Sequence, residues 1–425
     1  MKGRGIRRRW SIGFVDQVIW SGSNFVSSVI AARLLGIKSF GGYAFAMAVW
    51  MIALGLHRCL ISDPLLIDNV DDVGRTDHAA GASLGASATL AILIALLGLF
   101  LRGIGSELYG ASCLALSIWI APLLWHDLAR WVAYQRRTPL RALYADVVYL
   151  LVQGIALVIL LLAGIRSMWA VMATWGLGAT TAAAFGFFSQ RIRPKLGRSG
   201  FYRKNWAVSR WLLLDFIGYY SAGQLYLFVI SWSVGPAGLG AVRAAQQLLG
   251  PVAIMIAAIQ SFGLKEVAIA ADVNRERLPA LVRTLSMVSL GFALAYSVMA
   301  VLLSAFLVER VYGHGFSQAS SLVVLASVQW VIMSIGVGPS LAIKATKATK
   351  HLIAPRLAGT LLSSVVALIL SRSFGLVGAA GSGVISALTT VSVLYGAYRT
   401  SVRRPGAQHN LVVSPADSRS PASVA

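Results

Sequence analysis

Apolar runs of roughly 20 residues recur along the whole chain, each closed by a short polar or basic stretch, which is the length a helix needs to cross a bilayer. They predict helices at 12–35, 41–62, 79–101, 108–128, 143–165, 168–190, 211–234, 240–263, 284–307, 320–343, 356–373 and 378–397. Lipid cannot satisfy backbone hydrogen bonds, so only helices or a closed barrel can span it, and the strict alternation of barrel strands is absent. The fold class expected is all-α integral membrane: about twelve transmembrane helices in two six-helix bundles related by a pseudo-twofold axis along the membrane normal. The expected division is a basic N-tail at 1–11, a bundle at 12–190, a basic linker at 191–210, a bundle at 211–397 and a disordered Ser-, Pro- and Ala-rich tail at 398–425.

Composition agrees. Of 425 residues 57% are hydrophobic and 12% charged, too apolar for an ordinary soluble domain of this length. The net charge of +22 would suggest nucleic acid in a soluble protein, but these charges lie in loops, and no nucleic-acid partner is expected. With both termini taken as cytoplasmic, 30 of the 37 Lys and Arg fall on one side and 7 on the other. An odd number of spans would scatter that bias. The expectation is therefore a multi-pass membrane protein with N- and C-termini cytoplasmic. The basic start followed by an apolar run looks superficially like a signal peptide. The run to Leu35 is too long for a cleaved segment and carries Asp16, Gln17 and Asn24, which suit a retained helix inside a bundle.

The seven-charge stretch from Arg191 to Arg210 falls midway and reads as a hinge between halves, with topology determination as its plain role and contact with anionic lipid headgroups as the alternative. An internal repeat appears at an offset of 199 residues. It lays Leu35-Gly-Ile-Lys-Ser-Phe-Gly-Gly-Tyr43 over Val234-Gly-Pro-Ala-Gly-Leu-Gly-Ala-Val242, and Asp16 over Asp215. Halves of six helices start on the same side, so the repeat is parallel.

No enzyme constellation is evident. Two cysteines, Cys59 and Cys113, build neither a disulfide framework nor a zinc site and read as core packing; six scattered histidines supply no metal cluster; no Walker pattern is present. Neither a cofactor nor a metal is expected. His126-Asp127 reads as an interfacial pair, and Arg58 as a basic anchor at a helix end.

Polar residues on the helices remain, costly in lipid and therefore facing a bundle interior or a wet cavity. Gln17, Ser21, Asn24 and Ser28 share one helix face, either a lumen stripe or a packing seam. Asp215, Tyr219 and Tyr226 form a second stripe, and Arg243 with Gln246 or Gln247 a third. Arg243 suits oxyanion capture through its planar fork, against the reading of a snorkelling side chain. Arg33 stands at a helix end, where a cation can cap carbonyls. Asp16 and Asp215 could bind a coupling proton or bond neighbouring helices.

The run Gln17-Val-Ile-Trp-Ser-Gly-Ser-Asn-Phe25, then Ala32-Arg-Leu-Leu-Gly36 and Phe40-Gly-Gly-Tyr43, resembles the opening of bacterial polysaccharide flippases of the multidrug/oligosaccharidyl-lipid/polysaccharide exporter superfamily. Gly240 to Pro251, Val311 to Phe316 and Phe374 to Ala380 resemble the later motifs in order. The resemblance implies two six-helix bundles around a central cavity lined by the first two helices of each half. It implies export of a polyprenyl-diphosphate-linked oligosaccharide for surface polysaccharide biosynthesis by ion-coupled alternating access, with no enzymatic activity. In that reading Arg243 and Arg33 hold the diphosphate. Gln17, Asn24, Gln247, Tyr219, Tyr226 and Trp50 contact the remaining cargo, and Asp16 or Asp215 couples ions. Partners would be the lipid-linked glycan, membrane lipids, a glycan polymerase and glycosyltransferases. A cation-coupled multidrug-type exporter is the first alternative. A membrane-embedded glycan polymerase or ligase is the second, and the short loops on the less basic side argue against it.

Overall fold

The computed structural model describes residues 2–67, 73–136, 138–195, 200–217, 222–273, 276–346 and 352–402; within them, the side chains of 2–21, 23, 24, 215 and 222–226, among others, lie outside the description. Among the described residues the chain is helical throughout, with nine segments long and apolar enough to cross a membrane. Two of these, Phe25–Leu66 and Leu357–Thr400, hold 42 and 44 residues, and at about 1.5 Å per residue each suffices for two crossings of a roughly 30 Å core. Backbone breaks divide them, and the chain is an all-α multi-pass membrane protein of about twelve helices.

In chain order these are α1 (2–35), α2 (37–67, with a π turn at Arg58–Ser62), α3 (Val73–Gly103), α4 (Glu107–Gln135), α5 (Pro139–Leu162) and α6 (Met168–Gln190). The second six are α7 (200–216 and 222–234), α8 (236–248 and 250–273), α9 (Leu278–Leu302), α10 (Gln318–Ile335 continued by Val337–Ala345), α11 (353–374) and α12 (376–402). A short helix, Ser304–Tyr312, and a 3-10 turn, His314–Phe316, connect α9 to α10. Helices α3 to α6 pack on one another and on the α1–α2 pair, while α9 to α12 pack on one another and on α8.

The repeat seen in the sequence has a backbone counterpart. Gly36 (φ 69, ψ 170) breaks α1 from α2, and Gly235 (φ 72, ψ −177), 199 residues later, breaks α7 from α8 in the same conformation. That region is essentially closed to residues with a Cβ. Among the described residues, the six positive-φ glycines fall at the turns on one side of the bundle: Gly36, Gly105 and Gly164 in the first half, Gly235, Gly313 and Gly375 in the second. The side they mark is called the glycine side below, and the end carrying most of the Lys and Arg the basic side.

The start of α7 differs from the sequence expectation of 211, because the helix begins at Gly200, inside the stretch read as a linker. The physical reason is amphipathic. Phe201, Asn205, Ser209 and Phe216 are buried along one face, and that face docks on the first half. Tyr202 donates to Ala82 O at 2.8 Å, Arg75 to Asn205 Oδ1 at 2.8 Å, and Cys59 Sγ to Leu212 O at 3.4 Å. The preceding loop is tied down as well: Arg193 N–H donates to Asp77 Oδ1 at 3.0 Å, and Lys195 N–H to Asp77 O at 2.9 Å. Asp77, in the first turns of α3, thus anchors the basic linker.

Candidate functional site

The two halves meet where α1 and α2 cross α7 and α8. Their closest approach is backbone to backbone: a Cβ on Gly41 would overlap Pro236 O, and a Cβ on Gly240 would overlap Ile37 O. The 199-residue offset exchanges Gly41 with Gly240 and Ile37 with Pro236, so the crossing is self-complementary, as a twofold contact must be. Only glycine permits that distance.

Aromatic side chains fill the seam on the glycine side. Phe40 of α2 lies 5.7 Å from Phe316 edge-to-face and 6.5 Å from Tyr312, and Tyr312 lies 5.4 Å from Phe316. On the other flank Phe45 stacks on Tyr109 at 4.6 Å and meets Phe228 of α7 at 4.9 Å, while the Tyr109 hydroxyl donates to Ser231 O at 3.1 Å. Phe40, Tyr312 and Phe316 are each at most 2% exposed. The glycine side is closed by this packing.

Several sequence-singled residues converge here. Gln247 of α8 donates from Nε2 to Ser28 Oγ of α1 at 2.6 Å, and its Oε1 accepts from the Tyr312 hydroxyl at 3.3 Å. Ser28 is fully buried, so this member of the α1 stripe takes part in a packing seam between halves in this state. Arg33 donates from Nε to Val311 O at 2.7 Å and from Nη2 to Arg310 O, at the carboxyl end of the Ser304–Tyr312 helix. A cation there meets the negative end of the helix dipole and orphan carbonyls at once. It caps a helix of the other half, not its own.

Arg243 is half-buried on α8. The ring centroids of Tyr43 and Trp175 lie 5.2 Å apart, and Trp50 lies 5.6 Å from the same Trp175. Trp50 is buried, and among the described residues its Nε1 has no hydrogen-bond partner. Arg243, Gln247 and Arg33 thus share the seam, with Trp50 deeper beneath Tyr43. Asp16, Gln17, Asn24, Asp215, Tyr219 and Tyr226 lie outside the described side chains.

Sequence reasoning missed a set of buried ions in the first bundle. His126 and Asp127 each meet a partner on a different helix, because neighbours on a helix point to different faces. Asp127 accepts from Arg58 Nε at 2.9 Å and Nη2 at 2.5 Å, with the Arg58 guanidinium 5.3 Å above the Trp131 ring. His126 Nε2 lies 3.0 Å from Asp146 Oδ1 and stacks on Tyr149 at 5.1 Å, and Arg130 Nε lies 2.9 Å from Asp146 Oδ2. His126 and Asp146 are each 1% exposed in their side chains. His57 shares a 2.7 Å hydrogen bond with Ser83, whose neighbour Ser87 accepts from Trp125 at 3.1 Å. The available signal was the spacing of Arg58, His126, Asp127, Arg130 and Asp146 at matching depth on three helices. Cys59 and Cys113 are buried thiols, and among the described residues no cluster of His, Cys, Asp and Glu could hold a metal.

No family model and no curated protein matches the sequence. Solved structures do. The lipid II flippase MurJ in an inward closed conformation superposes with a TM-score of 0.73 at 12% identity, covering 92% of this chain and 87% of that one. The chain shares that fold. A multidrug-resistance transporter of the MOP superfamily in its inward-facing conformation follows at 0.69 and 16% identity, covering 91% and 94%. An outward-facing one superposes at 0.58 and 16% identity, covering 92% and 93%.

Proposed function

We propose that this chain is a non-enzymatic flippase that moves a polyprenyl-diphosphate-linked oligosaccharide across the bacterial cytoplasmic membrane for surface polysaccharide biosynthesis. The observation that carries the reading is the twofold seam, built of α1, α2, α7 and α8, where Arg243 and Arg33 supply cations and Gln247 an amide among aromatic rings. Guanidinium groups suit a diphosphate, and aromatic faces such as Trp50 suit sugar rings. The fold it shares with a lipid II flippase supports the same direction. In this reading the basic side is cytoplasmic, as the excess of Lys and Arg there favours, both termini lie inside, and the glycine side opens to the exterior.

Transport then requires two states, one with the Gly41–Gly240 crossing closed and one with it parted. Arg33 has a role in each. It caps the 304–312 helix while the exterior side is closed, and is released toward the diphosphate when the crossing parts. Asp16 and Asp215, related by the repeat, are the candidates for ion coupling. Gln17, Asn24, Tyr219 and Tyr226 are the further candidates for cargo contact. A glycan polymerase and glycosyltransferases would act on either side of this step.

The test is reconstitution. Proteoliposomes carrying the protein should transfer a labelled polyprenyl-diphosphate glycan between leaflets, and Arg243→Ala should lower the rate by about tenfold or more, the loss of one charge-assisted contact. Absence of transfer, together with normal surface polysaccharide in a deletion strain, would reject the reading. Drug sensitivity on deletion without a glycan defect would select the multidrug-type exporter instead.

A further inference from the structure

The two halves differ at positions that the repeat makes equivalent. The 199-residue offset lays Ile256 and Ala257 of α8 over His57 and Arg58 of α2. In the first half His57 and Arg58 fill the bundle and bond Ser83 and Asp127. In the second half alanine stands in place of the arginine, and a cavity of about 320 Å³ occupies the space between α8, α10, α11 and α12.

The path of α10 opens it. The helix is interrupted at Gly336, and its continuation Val337–Ala345 is drawn toward α9, where a Cβ on Gly338 would overlap Val282 O. Ser286 of α9 holds the interruption in place: its hydroxyl donates to Ile335 O at 2.9 Å and accepts from Gly338 N–H at 3.1 Å. Displacement toward α9 leaves room on the opposite face of α10.

The lining is graded. Ile256, Met333 and Leu394 form an apolar wall with Trp330, while Gln260, Ser340 and Lys344 supply an amide, a hydroxyl and an ammonium. Lys344 stands in the last turn of α10, at the basic side. A volume in the range of ligand pockets, an apolar length and one cation at the leaflet end describe an anionic amphipath.

We infer that this cavity in the second bundle binds a negatively charged phospholipid of the basic-side leaflet, its phosphate at Lys344 and Ser340 and an acyl chain along Ile256, Trp330 and Leu394. The site lies within one bundle, off the seam between halves, and does not depend on the identity of the cargo.

Thermal unfolding of the full-length protein in mixed micelles tests it, with phosphatidylglycerol, phosphatidylcholine or inorganic phosphate added. Phosphatidylglycerol should raise the Tm and the other two should not. Lys344→Gln should weaken the apparent lipid affinity roughly tenfold, the loss of one charge-assisted contact, with Lys344→Arg restoring it. Ala257→Phe, which fills the cavity, should abolish the shift. Arg203→Gln, an exposed cation on α7, should leave it unchanged and serves as the control for general surface attraction. Equal shifts with phosphatidylcholine or with inorganic phosphate, an unaltered shift in Lys344→Gln, or its loss in Arg203→Gln would each overturn the assignment. If Ala257→Phe does not fold, the Lys344 pair decides alone.

Discussion

Gly41 and Gly240 stand at equivalent places in the two halves, and each presses against a carbonyl of the other: Gly41 against Pro236, Gly240 against Ile37. The contact is backbone on backbone, so a larger residue cannot be absorbed by a side-chain rotation. Gly41→Val or Gly240→Val should weaken the closed state by about 1–3 kcal/mol, the usual cost of overpacking. A cysteine introduced at Phe316, buried in this state, should then react faster with a membrane-impermeant maleimide added from the glycine side. Unchanged labelling would count against a parting of the halves at this crossing.

The positive-φ breaks make a separate demand. Gly36→Ala and Gly235→Ala introduce a Cβ where no L-residue sits comfortably, at a cost of roughly 1–3 kcal/mol each. Gly85→Ala, on a helix with open space around the α-carbon, should be neutral or slightly stabilising. Chemical denaturation in detergent compares the three, and equal midpoints would contradict the assigned strain.

Arg33 donates to two carbonyls at the end of the 304–312 helix. Arg33→Gln should therefore loosen that helix, by about 1.5–3 kcal/mol if the contacts behave as ordinary hydrogen bonds from a charged donor. Hydrogen exchange of residues 304–312 should speed up accordingly. Arg33→Lys should recover only part of the protection, because an ammonium lacks the planar fork.

Asp127 is buried at 7% side-chain exposure beneath Arg58. Asp127→Asn removes the carboxylate that this guanidinium bonds and should destabilise the protein by about 1.5–3 kcal/mol, whereas the double variant Arg58→Met/Asp127→Leu should recover most of the loss. Thermal unfolding of the single and double variants measures the coupling, and simple additivity would remove the pair from the account.

The buried ions also mark the limit of what the sequence discloses. His126 and Asp127 are adjacent in the chain and look like one pair, yet the helix turns their side chains to Asp146 and Arg58 on different neighbours. Adjacency is a one-dimensional fact; partnership depends on which helices pack, and that is set by the bundle. The basic run at 191–210 misleads in a similar way. Its charge is visible in the sequence, whereas the burial of Phe201, Asn205 and Ser209 against the first half needs the receiving surface to exist.

By itself the sequence determined the membrane, the number of crossings and the twofold repeat, since apolar length, charge bias and glycine spacing act locally on each segment. Gly36 and Gly235 break their helices in the same conformation because the same short motif dictates it. Only the tertiary structure decided that Arg33 caps a helix of the other half, that Ser28 meets Gln247, and that one bundle is filled with ion pairs where its twin keeps a cavity. Those outcomes depend on distances between helices far apart in the chain, which packing fixes and no periodicity encodes.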